Sequence, residues 1–195
     1  FQKFGSVYGD GLGDGTTPGA HYGSGMSVLG GSIRSGELTS SEPIRHALKF
    51  LVYAKKYLYY SSSLPGYKWP AKLADNYAND PNNPNRYQGT NTNLVMGSLV
   101  AIPGWRTVND LQLSSPKARK IAQALLDYGA YIVDDTAYTN YAFGISQEEV
   151  GQWDIPQSDL RKIVSELWVV TNNAPNSIGG KVNGGLPRVG YAPNF

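Results

Sequence analysis

Cysteine is absent from the 195-residue chain. Its absence excludes disulfides, thiolate metal sites and a cysteine nucleophile. Charge is scarce as well. Only 16% of residues are charged, below the roughly 25% of an average soluble domain. The 17 basic and 15 acidic side chains nearly cancel, so the basic stripe of a nucleic-acid binder is missing. Histidine occurs only at His21 and His46, which leaves two candidates for imidazole chemistry. No apolar run approaches the ~18 residues of a membrane-spanning helix. The opening "FQKFGSVYGDGLGDG" has neither an initiator Met nor an apolar leader core. Phe1 is therefore expected to be a processed end or a boundary within a longer chain. A Gly-x-Ser-x-Gly elbow is also lacking, which argues against an ordinary serine esterase.

In place of charge the chain carries 23 Gly, 14 Tyr and 12 Pro, with many Asn and Ser. Neutral hydrogen-bonding groups and aromatic faces of this kind suit a secreted or cell-surface protein that handles sugars.

Three regions follow from the pattern. Residues 1–36 read as a Gly-rich arm and loop, because glycine loses too much backbone entropy to sit in regular structure. Residues 37–172 read as a β-rich core, with helices near 116–128 and 158–167. Residues 173–195, rich in Gly, Pro and Asn, read as an extended tail. In "SSPKARKIAQALLDYG", Ser115 caps, Pro116 takes the first helical position and Gly129 ends the helix. Ala118, Ile121, Ala122 and Leu125 recur at helical spacing. In "SDLRKIVSELW", Ser158 is the expected cap, and Leu160, Ile163, Val164 and Leu167 form the apolar face. A strand is expected over 44–53, with Ile44, His46, Leu48, Phe50 and Val52 on one face, and a helix over "IRHALKFLVYAKKYLYY" is the alternative. "GELTSSEP" then becomes the connector of a hairpin that brings Glu37 near His46. The fold class expected is mainly β with two helices, like a sandwich or jelly roll, with an α+β layout as the alternative. The strands are few for a complete sandwich. A preceding segment, or a second chain or copy, would then supply the rest.

The blocks "GAHYGSGMSVLGGSIRSGEL", "IRHALKF", "YKWPAKLAD", "LVMGSLVAIP", "LLDYGAYIVDDTA" and "WVVTNNAPNSIGG" resemble, in the same order, a group of uncharacterised secreted bacterial proteins. The resemblance covers most of residues 19–195. It implies an extracellular, carbohydrate-related setting and no particular activity. "SIRSGEL", "IRHALKF" and "YAKKYLYY" are similar in flavour to jelly-roll polysaccharide lyases, with Arg45 where that family carries Gln.

The residues allow three functions. A glycoside hydrolase needs two carboxyl groups. Glu37 with Asp134 or Asp135 could supply them, and the alternation after Tyr131 and Val133 favours Asp135. A polysaccharide lyase needs a base and offsetting cations. His46 would be the base, with Arg34, Arg45 or Lys49 beside it. A non-catalytic extracellular assembly or carbohydrate-binding protein would bury Glu37 and His46 as a pair, and its arms would complete a neighbour's sheet. Trp69, Trp105 and Trp153 are candidates for stacking on sugar rings. His21 lies in a Gly-rich loop where a ligand could approach the backbone. Asp10 and Asp14 in "GDGLGDG" are candidate Ca²⁺ ligands, although the expectation is no cofactor. The partner expected is a polysaccharide, with neither nucleic acid nor a membrane span.

Overall fold

The computed structural model describes residues 21–180 and the backbone of 191–194. The chain forms short strands and few helices: β1 (Leu48–Val52), the single turn α1 (Ala54–Tyr57), β2 (Leu99–Ala101), α2 (Pro116–Asp127), β3 (Ala130–Asp135), β4 (Ala142–Phe143), α3 (Gln157–Ser165), β5 (Trp168–Val170) and β6 (Tyr191–Asn194). None of the described helices is long and apolar enough to cross a membrane. The single core expected over 37–172 is divided between two compact units. Their described residues are 21–30, 49–98 and 131–142 in the first, and 31–48, 99–130, 143–180 and 191–194 in the second.

In the first unit, Phe50, Val52, Ala54, Leu58, Leu94, Met96, Ile132 and Val133 are buried. Val52 accepts the N–H of Thr136, just past β3, at 2.9 Å. On the other side of β3, Gly97 N–H donates to Ile132, and Ile132 N–H donates back to Ser98. Gly97 has to be glycine. Its φ is +81°, and a Cβ there would lie 2.2 Å from the carbonyl oxygen of Lys68.

In the second unit, α2 has the ends that its sequence predicts. Ser115 accepts from Ala118 N–H, and Pro116 begins the helix. Gly129 follows it at φ +78°. Ala118, Ile121, Ala122, Ala124 and Leu125 are buried. Gly129 also permits close approach, since a Cβ would stand 2.6 Å from Val100 O. β2 pairs antiparallel with β5, and β5 with β6. The expected tail therefore supplies a strand to its own sheet at 191–194. α3 begins one residue early, at Gln157, so Ser158 is not its cap. Pro156 holds the extended conformation that precedes the first turn.

The expected hairpin is not formed. Residues 44–47 lie outside any strand, and β1 starts only at Leu48. Ile33 pairs instead with Ile145, in a parallel bridge. Between Ile33 and Pro43 the chain makes successive turns pinned from elsewhere in the unit. The buried Glu149 carboxylate accepts the N–H groups of Gly36 and Leu38 at 2.8 and 2.9 Å. Lys120 Nζ donates to the carbonyls of Glu37 and Ser40.

Candidate functional site

Three carboxylates gather in the first unit. Asp134 and Asp135 sit at the end of β3, where successive side chains take opposite faces. Asp134 Oδ2 accepts from His21 Nδ1 at 3.0 Å, across 113 residues of sequence. His21 is held in a tight loop. Its N–H donates to Met26 O, and Gly25 N–H donates to its carbonyl. Asp75 enters from the long loop after Trp69. A Cβ on buried Gly23 would lie 2.8 Å from Asp134 Oδ1 and 3.1 Å from Asp75 Oδ1. The two oxygens are therefore no more than about 6 Å apart, and the missing side chain leaves them room.

Their environments differ. Burial above all, with the negative Asp134 and Asp135, raises the Asp75 carboxyl to about 6 against the opposing pull of hydrogen bonds from Tyr87 and Tyr77. Tyr87 O–H donates to Asp75 Oδ2 at 2.6 Å. Burial, with Asp75 next in weight, pushes both phenols well above their ordinary range, so they remain donors. Asp134 keeps a quarter of its side chain exposed and faces an imidazole. A carboxylate only accepts, so His21 Nδ1 is the donor of this bond. Among the described residues the ring's Nε2 is buried without a hydrogen-bond partner. The cluster thus combines a carboxyl raised to about 6, a second carboxyl and an oriented imidazole. Environments that separate two carboxyl groups in this way assign acid and base roles.

The sequence pattern favours Asp135 over Asp134, and the geometry reverses that preference. Asp135 Oδ1 accepts from Ala54 and Ala137 N–H, which caps α1, and Oδ2 accepts from Tyr77 O–H. It is occupied as a brace. Asp75, Tyr77 and Tyr87 carry no sequence signal beyond a turn-rich loop.

Glu37 belongs to the second unit and so does not share a unit with Asp134 or Asp135. His46 is its partner, as expected. Nε2 lies 3.1 and 3.0 Å from the two Glu37 oxygens. Nδ1 lies 3.0 Å from Ala47 O. Both ring nitrogens are committed, which removes the free lone pair that a lyase base requires. Arg34 contributes its backbone N–H to Glu37 at 2.7 Å. Arg45 is exposed and pairs with Glu42.

Lys49 lies in the first unit, buried, with Nζ on Val28 O, and burial lowers its basicity. It is therefore no cation for His46 within one unit. Trp69 is half-buried against Tyr131, edge to face. Trp153 is also half-buried, whereas Trp105 is exposed. Asp10 and Asp14 lie outside the described residues. Among the described residues no group of three His, Asp or Glu is arranged to hold a metal ion.

No protein-family model matches the chain. No curated protein matches it. No solved structure matches it either.

Proposed function

We propose that this is a secreted, sandwich-like β protein that hydrolyses polysaccharide, with Asp75 as general acid and Asp134 as its ionised partner. One observation carries the reading. Two carboxyl oxygens converge on Gly23, one on a group raised to about 6 and the other on a carboxyl that accepts from His21 Nδ1. The bound of about 6 Å between these two oxygens is compatible with the about 5–5.5 Å between carboxyl groups that retention needs. Asp75 would protonate the leaving glycosidic oxygen. Asp134 Oδ1 would bond to the anomeric carbon as that oxygen leaves, giving a glycosyl–enzyme ester, while His21 holds Oδ2. Water, giving a proton to Asp75, would then displace Asp134 from the anomeric carbon and release the sugar.

A lyase built on His21 rather than His46 is the second reading, favoured by the unpartnered Nε2. A polysaccharide panel separates the two. New reducing ends without ultraviolet absorbance, lost in Asp75→Asn and Asp134→Asn, support the hydrolase. Absorbance from an unsaturated uronate, lost in His21→Ala, supports the lyase. Silence from folded wild-type protein would sink both and favour a non-catalytic surface protein completed by a second chain.

A further inference from the structure

The second unit carries an aromatic surface that the acidic cluster does not use. The turn after β2, "PGWRT", lifts Trp105 into solvent with 62% of its surface exposed. The turn is closed by Arg106 N–H on Pro103 O at 3.0 Å. Beside it, Gly104 is exposed and has nothing within 4 Å of where a Cβ would stand, so the backbone lies open to an approaching molecule. The Trp105 ring is fixed in place. It meets Trp168 of β5 edge to face, with centroids 5.3 Å apart and planes at 86°. Trp168 is itself set by pairing with Ala101 of β2.

The neighbouring charges are satisfied. Arg106 Nε and Nη2 donate to the two Glu166 oxygens at 2.9 and 2.8 Å. Asp110 also feels the Arg106 charge. The fork on Glu166 uses Nε and Nη2, and Nη1 takes no part in it. The patch offers an exposed indole, an exposed guanidinium and no surplus positive charge.

We infer that Trp105 and Arg106 form a glycan-binding platform, separate from the Asp75–Asp134 cluster, that takes neutral sugar chains. A pyranose with equatorial hydroxyls presents a flat C–H face to the indole, and its ring-edge hydroxyls meet the Arg106 donors. An acidic polymer is disfavoured, because its carboxylates would face Glu166 and Asp110. Neutral β-1,4-linked chains, whose rings lie flat in a ribbon, fit such a surface. The inference does not depend on catalysis, since all its residues belong to the second unit.

The test titrates the Asp75→Asn protein, which cannot consume the ligand if the hydrolase reading is right, with cellohexaose, xylohexaose, mannohexaose and chitohexaose. Polygalacturonate is the acidic control. Tryptophan fluorescence and calorimetry are the readouts. At least one neutral hexaose should bind, tenfold or more weaker in Asp75→Asn carrying Trp105→Ala, with Trp105→Phe recovering part of the loss. Polygalacturonate should bind more weakly than that hexaose. Binding to none of the four overturns the platform, as does binding that Trp105→Ala leaves intact or a preference for polygalacturonate. Loss of hydrolysis with binding preserved would touch the cluster alone.

Discussion

His46 and Glu37 are bound through a single ring nitrogen, Nε2, which sits 3.0–3.1 Å from both carboxylate oxygens. The other nitrogen faces Ala47 O. Both ring nitrogens of His46 thus face oxygen acceptors, whereas His21 meets one only through Nδ1. Glu37→Ala should cost about 1–3 kcal/mol in urea unfolding, because it strands a half-buried donor.

Asp75 is predicted to trade stability for reactivity. Its folded-state value, about 6, lies above the ordinary 3.8, so the folded protein holds that proton more tightly. The stabilising share is complete below about 3.8 and drains away as pH rises through about 6. The loss is at most about 3 kcal/mol at pH 8, less what solvent screens at the exposed edge. Asp75→Asn cannot ionise and still accepts from Tyr87. Its unfolding midpoint should exceed that of wild type at pH 8 and match it near pH 4.

The same group sets the expected activity profile. An acid must be protonated to act, so hydrolysis should fall as pH rises past about 6. Asp75→Asn should lower kcat by about 10²–10⁴ and flatten that limb. A wild-type rate that holds level to pH 8 would remove Asp75 from the acid role.

Gly97 and Gly104 make a contrasting pair. Gly97→Ala forces a side chain into φ +81° and against Lys68 O. The expected cost is above about 3 kcal/mol, or failure to fold. Gly104→Ala meets open space and should stay within about 0.5 kcal/mol of wild type. Denaturation midpoints of the two variants decide the matter.

Glu149→Gln should unfasten the Glu37 turns. The amide keeps one acceptor where the carboxylate serves Gly36 and Leu38 together. It also sets an N–H against an N–H. A loss of about 1–3 kcal/mol is expected, with faster hydrogen exchange at Leu38. Unchanged exchange there would show that other contacts hold the turns.

What the sequence made legible is what local chemistry controls. Ser115, Pro116 and Gly129 mark α2 because a helix end is satisfied by its nearest neighbours. The proximity of Glu37 and His46 was also legible, although the hairpin thought to cause it is absent. Glu149 and Lys120, more than 80 residues further along, shape that turn. The convergence of His21, Asp75 and Asp134 had no local signature. Asp75 lies in a loop without periodicity, and only the folded chain brings it to Gly23. Alternation correctly separated Asp134 from Asp135. It could not say which of them the Ala54 and Ala137 amides would occupy.

The two units are interleaved along the chain, with the first recruiting segments before and after α2. Neither can be cut out as one continuous stretch. During synthesis, His21 emerges 113 residues before Asp134, and the cluster stays unassembled until β3 has followed. Contacts of such long sequence separation close late and slowly. Truncation before β3, however conservative to the residues it spares, would remove Asp134 from the site. An intact cluster is thus a certificate that the chain between its members was made and folded.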